Sequence, residues 1–296
     1  MRRQCCKVCS GEADAYAEIV VRGHHHSWVY SCHNCGFVFI DPVYWLDEAY
    51  EEPVTLSDVG YISRNMGASE RLYNLLSDKT SGSDFFVDFG GGYGLLVRLM
   101  RDKGFRFHLH EPFVTNLFAR ACDADRSRFA RYRALTAIEV FEHLVDPLAG
   151  TAEMASWSKC ILFTTELCPV AKPLPEQWWY FGFEHGQHIS FYTTEALRLM
   201  AERNGLQYFD LGGSWHAFAL GDDSIVRKPE RGRGIVDSAK LAGAYIADGV
   251  SRRLRGTGSR PSLLNDDFDA MRRITGLMPQ SLDSAFAHID RIEAAQ

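Results

Sequence analysis

The chain has 296 residues, 46% hydrophobic and 24% charged, which suits an ordinary soluble chain of one large domain with appendages or two small domains. Its net charge of −6 argues against binding nucleic acid through phosphates, and no apolar run approaches the ~20 residues of a membrane helix. The opening MRRQCCKVCS has no apolar stretch after its charges, so it does not read as a signal peptide, and the cytoplasm is the expected location. Clustered arginines at 227–234 and 252–260 read as solvated surface.

Five of the eight cysteines (Cys5, Cys6, Cys9, Cys32, Cys35, Cys122, Cys160 and Cys168) fall within the first 35 residues. Without a secretion signal that clustering points to metal rather than disulfides. Cys6-x2-Cys9 and Cys32-x2-Cys35 form two knuckles 22 residues apart. Each places two thiolates on one tetrahedral Zn²⁺, and four thiolates close the shell, the mark of a structural site. Cys5 is the spare. His24, His25, His26 and His33 are possible ligands for which the four thiolates leave no vacancy; they read as a hairpin tip and a knuckle residue.

Residues 46–80 read as helical, with Leu72, Leu75 and Leu76 near helical spacing. From Asp84 short apolar runs alternate with helical segments. FFVDF (85–89), FRFHLH (105–110), ALTAIEV (134–140) and CILFTT (160–165) read as strands. Helices are expected at YGLLVRLMRDKG, at 114–121, from Pro147, and over TTEALRLMAERNGL with a cap at Thr193 or Thr194. QYFDLGG and SWHAFAL read as a terminal antiparallel pair. The alternation predicts a parallel sheet covered on both faces. Beyond Val226 two or three helices are expected, broken by a Gly/Pro/Ser stretch at 256–262.

VDFGGGYG places Asp88, Gly90, Gly92 and Gly94 between a predicted strand and a predicted helix, where glycines permit a sharp turn and close approach of a ligand. Glu111 follows at the end of the next strand, where a carboxylate can accept both ribose hydroxyls of a nucleoside. With HEPF, IEVFEHLVDP and ILFTTELCP following in order over roughly 84–220, the sequence resembles the class I S-adenosylmethionine-dependent methyltransferases. The resemblance implies an α/β, Rossmann-like seven-stranded sheet. It assigns Gly90, Gly92 and Gly94 to the cofactor loop and Glu111 to the ribose. Asp88 would orient the loop or the cofactor's amino group, and Glu139 would lie beside its methionine portion. The third strand usual in the family is not evident between 114 and 133; Asp123 or Asp125 would take the place of the acidic residue that contacts adenine. A dehydrogenase-type NAD site is the competing reading of the loop, but the chain lacks a second catalytic half.

The implied organisation is a zinc-binding module at 1–45, a helical linker at 46–80, a methyltransferase core at 81–226 and a helical extension at 227–296. A zinc ribbon ahead of such a core is similar to sugar C-methyltransferases, to certain ribosomal RNA guanine methyltransferases, and above all to bacterial methyltransferases of polysaccharide and secondary-metabolite pathways. A small-molecule acceptor is therefore expected, with a nucleotide-linked or polysaccharide-pathway sugar as the leading class.

The segment 175–197 is rich in aromatics: Trp178, Trp179, Tyr180, Phe181, Phe183, Phe191 and Tyr192. They read mostly as core or lid, with at least one tryptophan facing the pocket. In sugar C-methyltransferases a Glu-His pair near here is the proposed base; the matching pair is Gln187-His188, making His188 the candidate. IEVFEHLVDP adds Glu142 and His143 on the acceptor side. Glu-x-x-Glu-His also resembles the metal set of small-RNA and ubiquinone-pathway O-methyltransferases, where His185 or His188 would complete the site. Two alternatives to a small-molecule enzyme follow: an RNA methyltransferase using that metal set, or a non-catalytic protein keeping the cofactor fold.

Overall fold

The computed structural model describes residues 2–51, 59–127, 131–169, 172, 174–226, 260–263 and 266–267. The helices and the break expected beyond Val226, and the arginine clusters apart from Arg260, lie outside these residues.

The cysteine knuckles open a meander of strands β1 (Arg3–Cys5), β2 (Glu12–Val21), β3 (His25–Cys32) and β4 (Val38–Asp41). Two helices follow, α1 (Leu46–Ala49) and α2 (Tyr61–Leu76). Then come β5 (Phe85–Phe89), α3 (Leu95–Asp102), β6 (Arg106–His110), β7 (Ala134–Ala137), α4 (Pro147–Trp157) and β8 (Cys160–Thr164). The chain continues through β9 (Ser190–Phe191), α5 (Thr194–Arg203), β10 (Gln207–Gly212) and β11 (Trp215–Ala219).

The larger sheet runs β10-β11-β8-β7-β5-β6. Its four middle and edge strands β8, β7, β5 and β6 are parallel, and β11 and β10 close it antiparallel, as the terminal pair predicted. Beyond β6 a single parallel bridge, Leu109 with Asp123, occupies the place of a seventh strand. The amide of Leu109 donates to Cys122 O at 2.7 Å and that of Ala124 to Leu109 O at 2.7 Å. The third strand that the sequence conceals is thus reduced to one rung.

The parallel strands are buried on both faces, which is why they read as unbroken apolar runs. Successive side chains still part to opposite sides. Phe86, Leu162 and Ala217 pack with Leu72 and Leu76 of α2 and Leu96, Val97 and Met100 of α3. Val87, Ile161, Phe163 and Phe218 pack with α4, α5 and the cysteine module, whose Val8, Tyr30, Phe37 and Phe39 enter the same core. Strand β9 adds antiparallel to β4, pairing Val38 with Phe191 and Phe39 with Ser190.

Helix starts follow local chemistry. Asp146 Oδ1 accepts from Leu148 N at 3.1 Å and Ala149 N at 3.0 Å ahead of Pro147, and Thr193 Oγ1 accepts from Ala196 N at 3.1 Å. The helix expected at 114–121 is absent. Asn116 bonds Ala119 through its side-chain amide, both ways, and Leu117 N and Phe118 N donate to Tyr93 O. Those bonds give the backbone partners that a helix would otherwise supply. Residues 260–263 and 266–267 lie against α3 and the segment after it: Arg101 forms a two-pronged pair with Asp267 (2.7 and 3.0 Å), and Arg260 lies 4.2 Å over the Phe105 ring.

Phe141 is fully buried, with its ring stacked 3.8 Å from Phe163 and edge-on to Tyr192 and Phe218. Phe141→Ala should lower the unfolding free energy by about 3–5 kcal/mol in urea titrations. Asp146→Ala, which removes only a helix cap, should cost about 1 kcal/mol.

Candidate active site

Gly90, Gly92 and Gly94 all adopt left-handed backbone, with φ of 67°, 56° and 82°. That conformation turns the chain from β5 into α3 and suits glycine alone at low cost. Gly91 is constrained differently. A Cβ there would collide with the Asp88 carboxylate and approach Leu109 Cδ1 to 2.7 Å. Asp88 therefore sits directly beneath the loop. Its Oδ1 accepts the Thr136 hydroxyl at 2.6 Å, and burial, with the Glu111 charge adding, pushes its pKa up to about 7. Of the two roles expected for Asp88, this contact is to the loop.

Glu111, just past β6, ties the loop to the neighbouring strand. Oε2 accepts Gly92 N at 3.0 Å and Oε1 accepts Phe113 N at 2.8 Å. On the other side Val140 packs on Gly90, where a Cβ would lie 3.0 Å from Val140 Cγ2. Its neighbour Glu139 has a φ of 55°, unusual for a residue with a side chain. Thr164 holds it there: its hydroxyl accepts Glu139 N at 2.9 Å and donates to Glu139 Oε1 at 2.7 Å. Asp123, beside Leu109, accepts Asn116 Nδ2 at 3.0 Å, whereas Asp125 is taken up by the amide and hydroxyl of Ser127.

Two residues beyond Glu139 the turn Phe141–His143 begins, and it carries the expected acid–base candidates. Ligand atoms of Glu142, His143 and His188 lie within 4.8 Å of one another. Glu142 is fully buried, and neither carboxylate oxygen has a partner at hydrogen-bond distance. Burial, with the Glu139 charge adding to it, raises its pKa well above the usual carboxylate range. His143 Nδ1 meets the Tyr50 hydroxyl at 2.8 Å, and burial depresses its pKa. His188 Nδ1 lies 2.6 Å from Tyr180 O, a carbonyl that can only accept, so Nδ1 carries the proton and Nε2 keeps a lone pair. Burial lowers the His188 pKa to about 4, so the ring is neutral at neutral pH and Nε2 is unprotonated. His185 stacks edge-on to His188 at 4.6 Å.

The glutamine in place of glutamate has its own use. Gln187 Nε2 donates to Ala49 O at 2.8 Å, a bond a carboxylate could not make, and so anchors the end of α1. The aromatic segment is mostly packing. Tyr180, Phe181, Phe191 and Tyr192 are buried, Trp178 lies against Phe181 and Phe191, and Trp179 is 77% exposed. Sequence reasoning missed Tyr50, Tyr61, Arg64, Gly91 and Thr164. Tyr61 faces Gly92 (3.5 Å to a Cβ built there), and Arg64 acts on Glu142 and His188 by charge. Only Gly91 and Thr164 lay within a quoted motif.

The four cysteines of the knuckles also converge, with Sγ separations of 3.7 Å (Cys6–Cys35) and 3.4 Å (Cys9–Cys32). Tetrahedral Zn–S bonds of ~2.3 Å require sulfurs about 3.8 Å apart, so the set fits zinc. The amides of Val8, Gly11 and Asn34 donate to Cys6, Cys9 and Cys32 at 3.4 Å, as thiolates require.

Residues 62–211 match the family model described as a methyltransferase domain. The chain belongs to that family, and its fold is the class I methyltransferase fold. Among solved structures it is similar to the mitomycin 7-O-methyltransferase (13% identity, 60% of each chain covered, TM-score 0.39). It is also similar to the magnesium protoporphyrin IX methyltransferase of Synechocystis PCC 6803 with bound SAH (11%, 58% of this chain and 94% of that one, TM-score 0.39). A third is an O-methyltransferase family 2 protein of Planctomyces limnophilus DSM 3776 (14%, 58% and 64%, TM-score 0.37). The chain spans about three fifths of the length of the first of these. No curated protein sequence matches it. Among the described residues no helix is long and apolar enough to cross a membrane.

The raised carboxylates carry a definite pH signature. A folded-state pKa above the unfolded value gives stability that is full below the unfolded pKa and is lost as pH rises through the folded one. For Asp88 that window runs from about 4 to about 7. Asp88→Asn and Glu142→Gln should each stabilise the fold more at pH 8 than at pH 5, as measured by urea unfolding at the two pH values.

Proposed function

We propose that this protein transfers a methyl group from S-adenosylmethionine to a small-molecule acceptor, with a structural zinc in the four-cysteine module. A sugar of a nucleotide-linked or polysaccharide pathway is the acceptor class we favour, methylated at O, N or C. The observation that carries the reading is the continuity of 139–143. Val140 packs on Gly90 of the glycine loop, and two residues on Glu142 and His143 meet His188. One short stretch thus joins a nucleoside-binding loop to a proton acceptor.

When bound, the cofactor supplies a methyl on a sulfonium and a neutral thioether leaving group. The chain's own residues do the rest. Gly90, Gly92 and Gly94 leave room for the ligand against the backbone, Glu111 accepts the ribose hydroxyls, and Asp123 stands at the adenine end. His188 Nε2 takes the acceptor's proton as the new bond to carbon forms, and the imidazolium is held by the Tyr180 carbonyl. Tyr50 and His143 fix the orientation of that wall, and the buried aromatics exclude water. Cys6, Cys9, Cys32 and Cys35 would hold the zinc, which shapes the fold and takes no part in the chemistry.

A second reading has one observation in its favour. Glu142, His143 and His188 are also spaced to hold a divalent ion, and the unbonded, buried Glu142 carboxylate suits that use. Such an ion would polarise an acceptor hydroxyl.

Glu111→Ala should weaken S-adenosylmethionine about 10–100-fold by calorimetry. His188→Ala should leave that affinity within about threefold while lowering turnover about 10²–10⁴-fold, read as S-adenosylhomocysteine release across a panel of nucleotide sugars. Unchanged cofactor affinity in Glu111→Ala would sink the cofactor assignment. A rate insensitive to chelator removes the second reading; a rate lost to chelator and restored by added divalent metal selects it.

A further inference from the structure

We infer that the tip of the β2–β3 hairpin and helix α1 together form a second transition-metal site, with His24, His25 and Glu48 as ligands to a first-row divalent ion such as Zn²⁺. It is separate from both the four cysteines and the Glu142 cluster.

The three side chains come from elements far apart in sequence and converge on one carboxylate oxygen. His25 Nε2 lies 2.9 Å and His24 Nε2 3.7 Å from Glu48 Oε2, and all three ligand atoms fall within 4.8 Å of one another. His24 is held in the tautomer a ligand needs. Its Nδ1 lies 2.8 Å from Arg22 O, a carbonyl that can only accept, so Nδ1 carries the proton and Nε2 presents a lone pair to the carboxylate. Metal-bound histidines use their other ring N–H in this way, on a backbone carbonyl.

The rest of the site is rigid. His25 stacks on Trp45 at 5.7 Å and sits edge-on to Tyr44 at 5.3 Å; its side chain is only 14% exposed. Trp45 is itself pinned by a 2.8 Å bond from its indole N–H to Gly186 O. Arg22 Nε donates to Glu48 Oε1 at 2.9 Å, which orients the carboxylate and turns Oε2 toward the two imidazoles, His25 Nε2 lying at hydrogen-bond distance from it. Arg22 and Gly23 both have positive φ in the three-residue connection 22–24, which places His24 and His25 side by side on the tip, rings 4.0 Å apart. Two imidazoles and one carboxylate are a donor set that suits Zn²⁺, Co²⁺ and Ni²⁺ rather than Mg²⁺ or Ca²⁺. The Arg22 charge makes this the weaker of the zinc sites, so its ion should leave first under chelator.

The site would clasp the hairpin to α1. Helix α1 ends one residue before Tyr50, whose hydroxyl holds His143, and Arg22 Nη1 also reaches His185 O at 3.3 Å. An ion there steadies the wall that carries the acid–base groups without touching the reaction.

The test uses the full chain without a histidine tag, equilibrated with Zn²⁺ at pH 7.5 and analysed for bound metal per chain. The variants are His24→Ala and His25→Phe, the latter keeping the stack on Trp45. Each should bind one equivalent fewer than the wild type, with an unchanged circular dichroism spectrum, while Glu142→Gln should retain that equivalent. With Co²⁺, the variants should keep the thiolate charge-transfer bands of the cysteine site and lose only the weaker visible bands. Equal metal content in the wild type and His24→Ala overturns the proposal. So does loss of the extra equivalent in Glu142→Gln alone, which would place the ion in the pocket.

Discussion

A short antiparallel contact, β4 against β9, governs how this molecule is put together. Val38 pairs with Phe191 and Phe39 with Ser190. Just before β9, Ile189 O accepts Ile40 N at 3.0 Å and Ile189 N donates to Glu142 O at 2.9 Å. The last strand of the cysteine module, the residue next to His188 and the turn bearing Glu142 are therefore linked in one hydrogen-bonded series. The spacing of the acid–base cluster is set by that backbone, not by side chains adjusting to one another. The cysteine knuckles open the meander that offers β4 as an edge, which connects the cysteine module to a cluster it does not touch.

This arrangement explains the odd features of the pocket. A fully buried carboxylate with no hydrogen bond is costly. It persists because the Phe141–His143 turn is held from several sides: Phe141 is stacked on Phe163, its carbonyl accepts the Tyr192 hydroxyl at 2.7 Å, and Glu142 O is taken by Ile189. The left-handed Glu139 is held likewise by Thr164 on the adjacent strand. Strain and desolvation concentrate over five residues while the surrounding core is apolar and close-packed. Stability is spent here on keeping Glu142, His143 and His188 in place.

Much of the fold was legible because it rests on local rules. Strands β5, β6, β7 and β8 announced themselves as apolar runs, α4 by Pro147, and α5 by a threonine cap at 193 or 194. The glycine loop was legible because three positions need a backbone conformation that other residues resist. The 114–121 segment misled because its apolar spacing is helical, yet Asn116 and the Tyr93 carbonyl offer the backbone nonlocal partners. The one-rung edge strand at Asp123 could not be seen, since a single bridge leaves no pattern.

What the sequence by itself determined is the inventory of chemistry: four thiolates in two knuckles, a glycine loop with an acidic residue one strand later, and Glu142, His143 and His188 as candidates for proton transfer. These follow from residue type and short-range spacing, which survive any packing. Only the tertiary structure decided which groups meet. Tyr50 reaches His143 across 93 positions, Gln187 reaches Ala49 across 138, and His24 and His25 find Glu48 on another element. Such encounters depend on how a meander, a helix and a sheet are packed together, and the packing is fixed by the sum of many weak contacts rather than by any local motif.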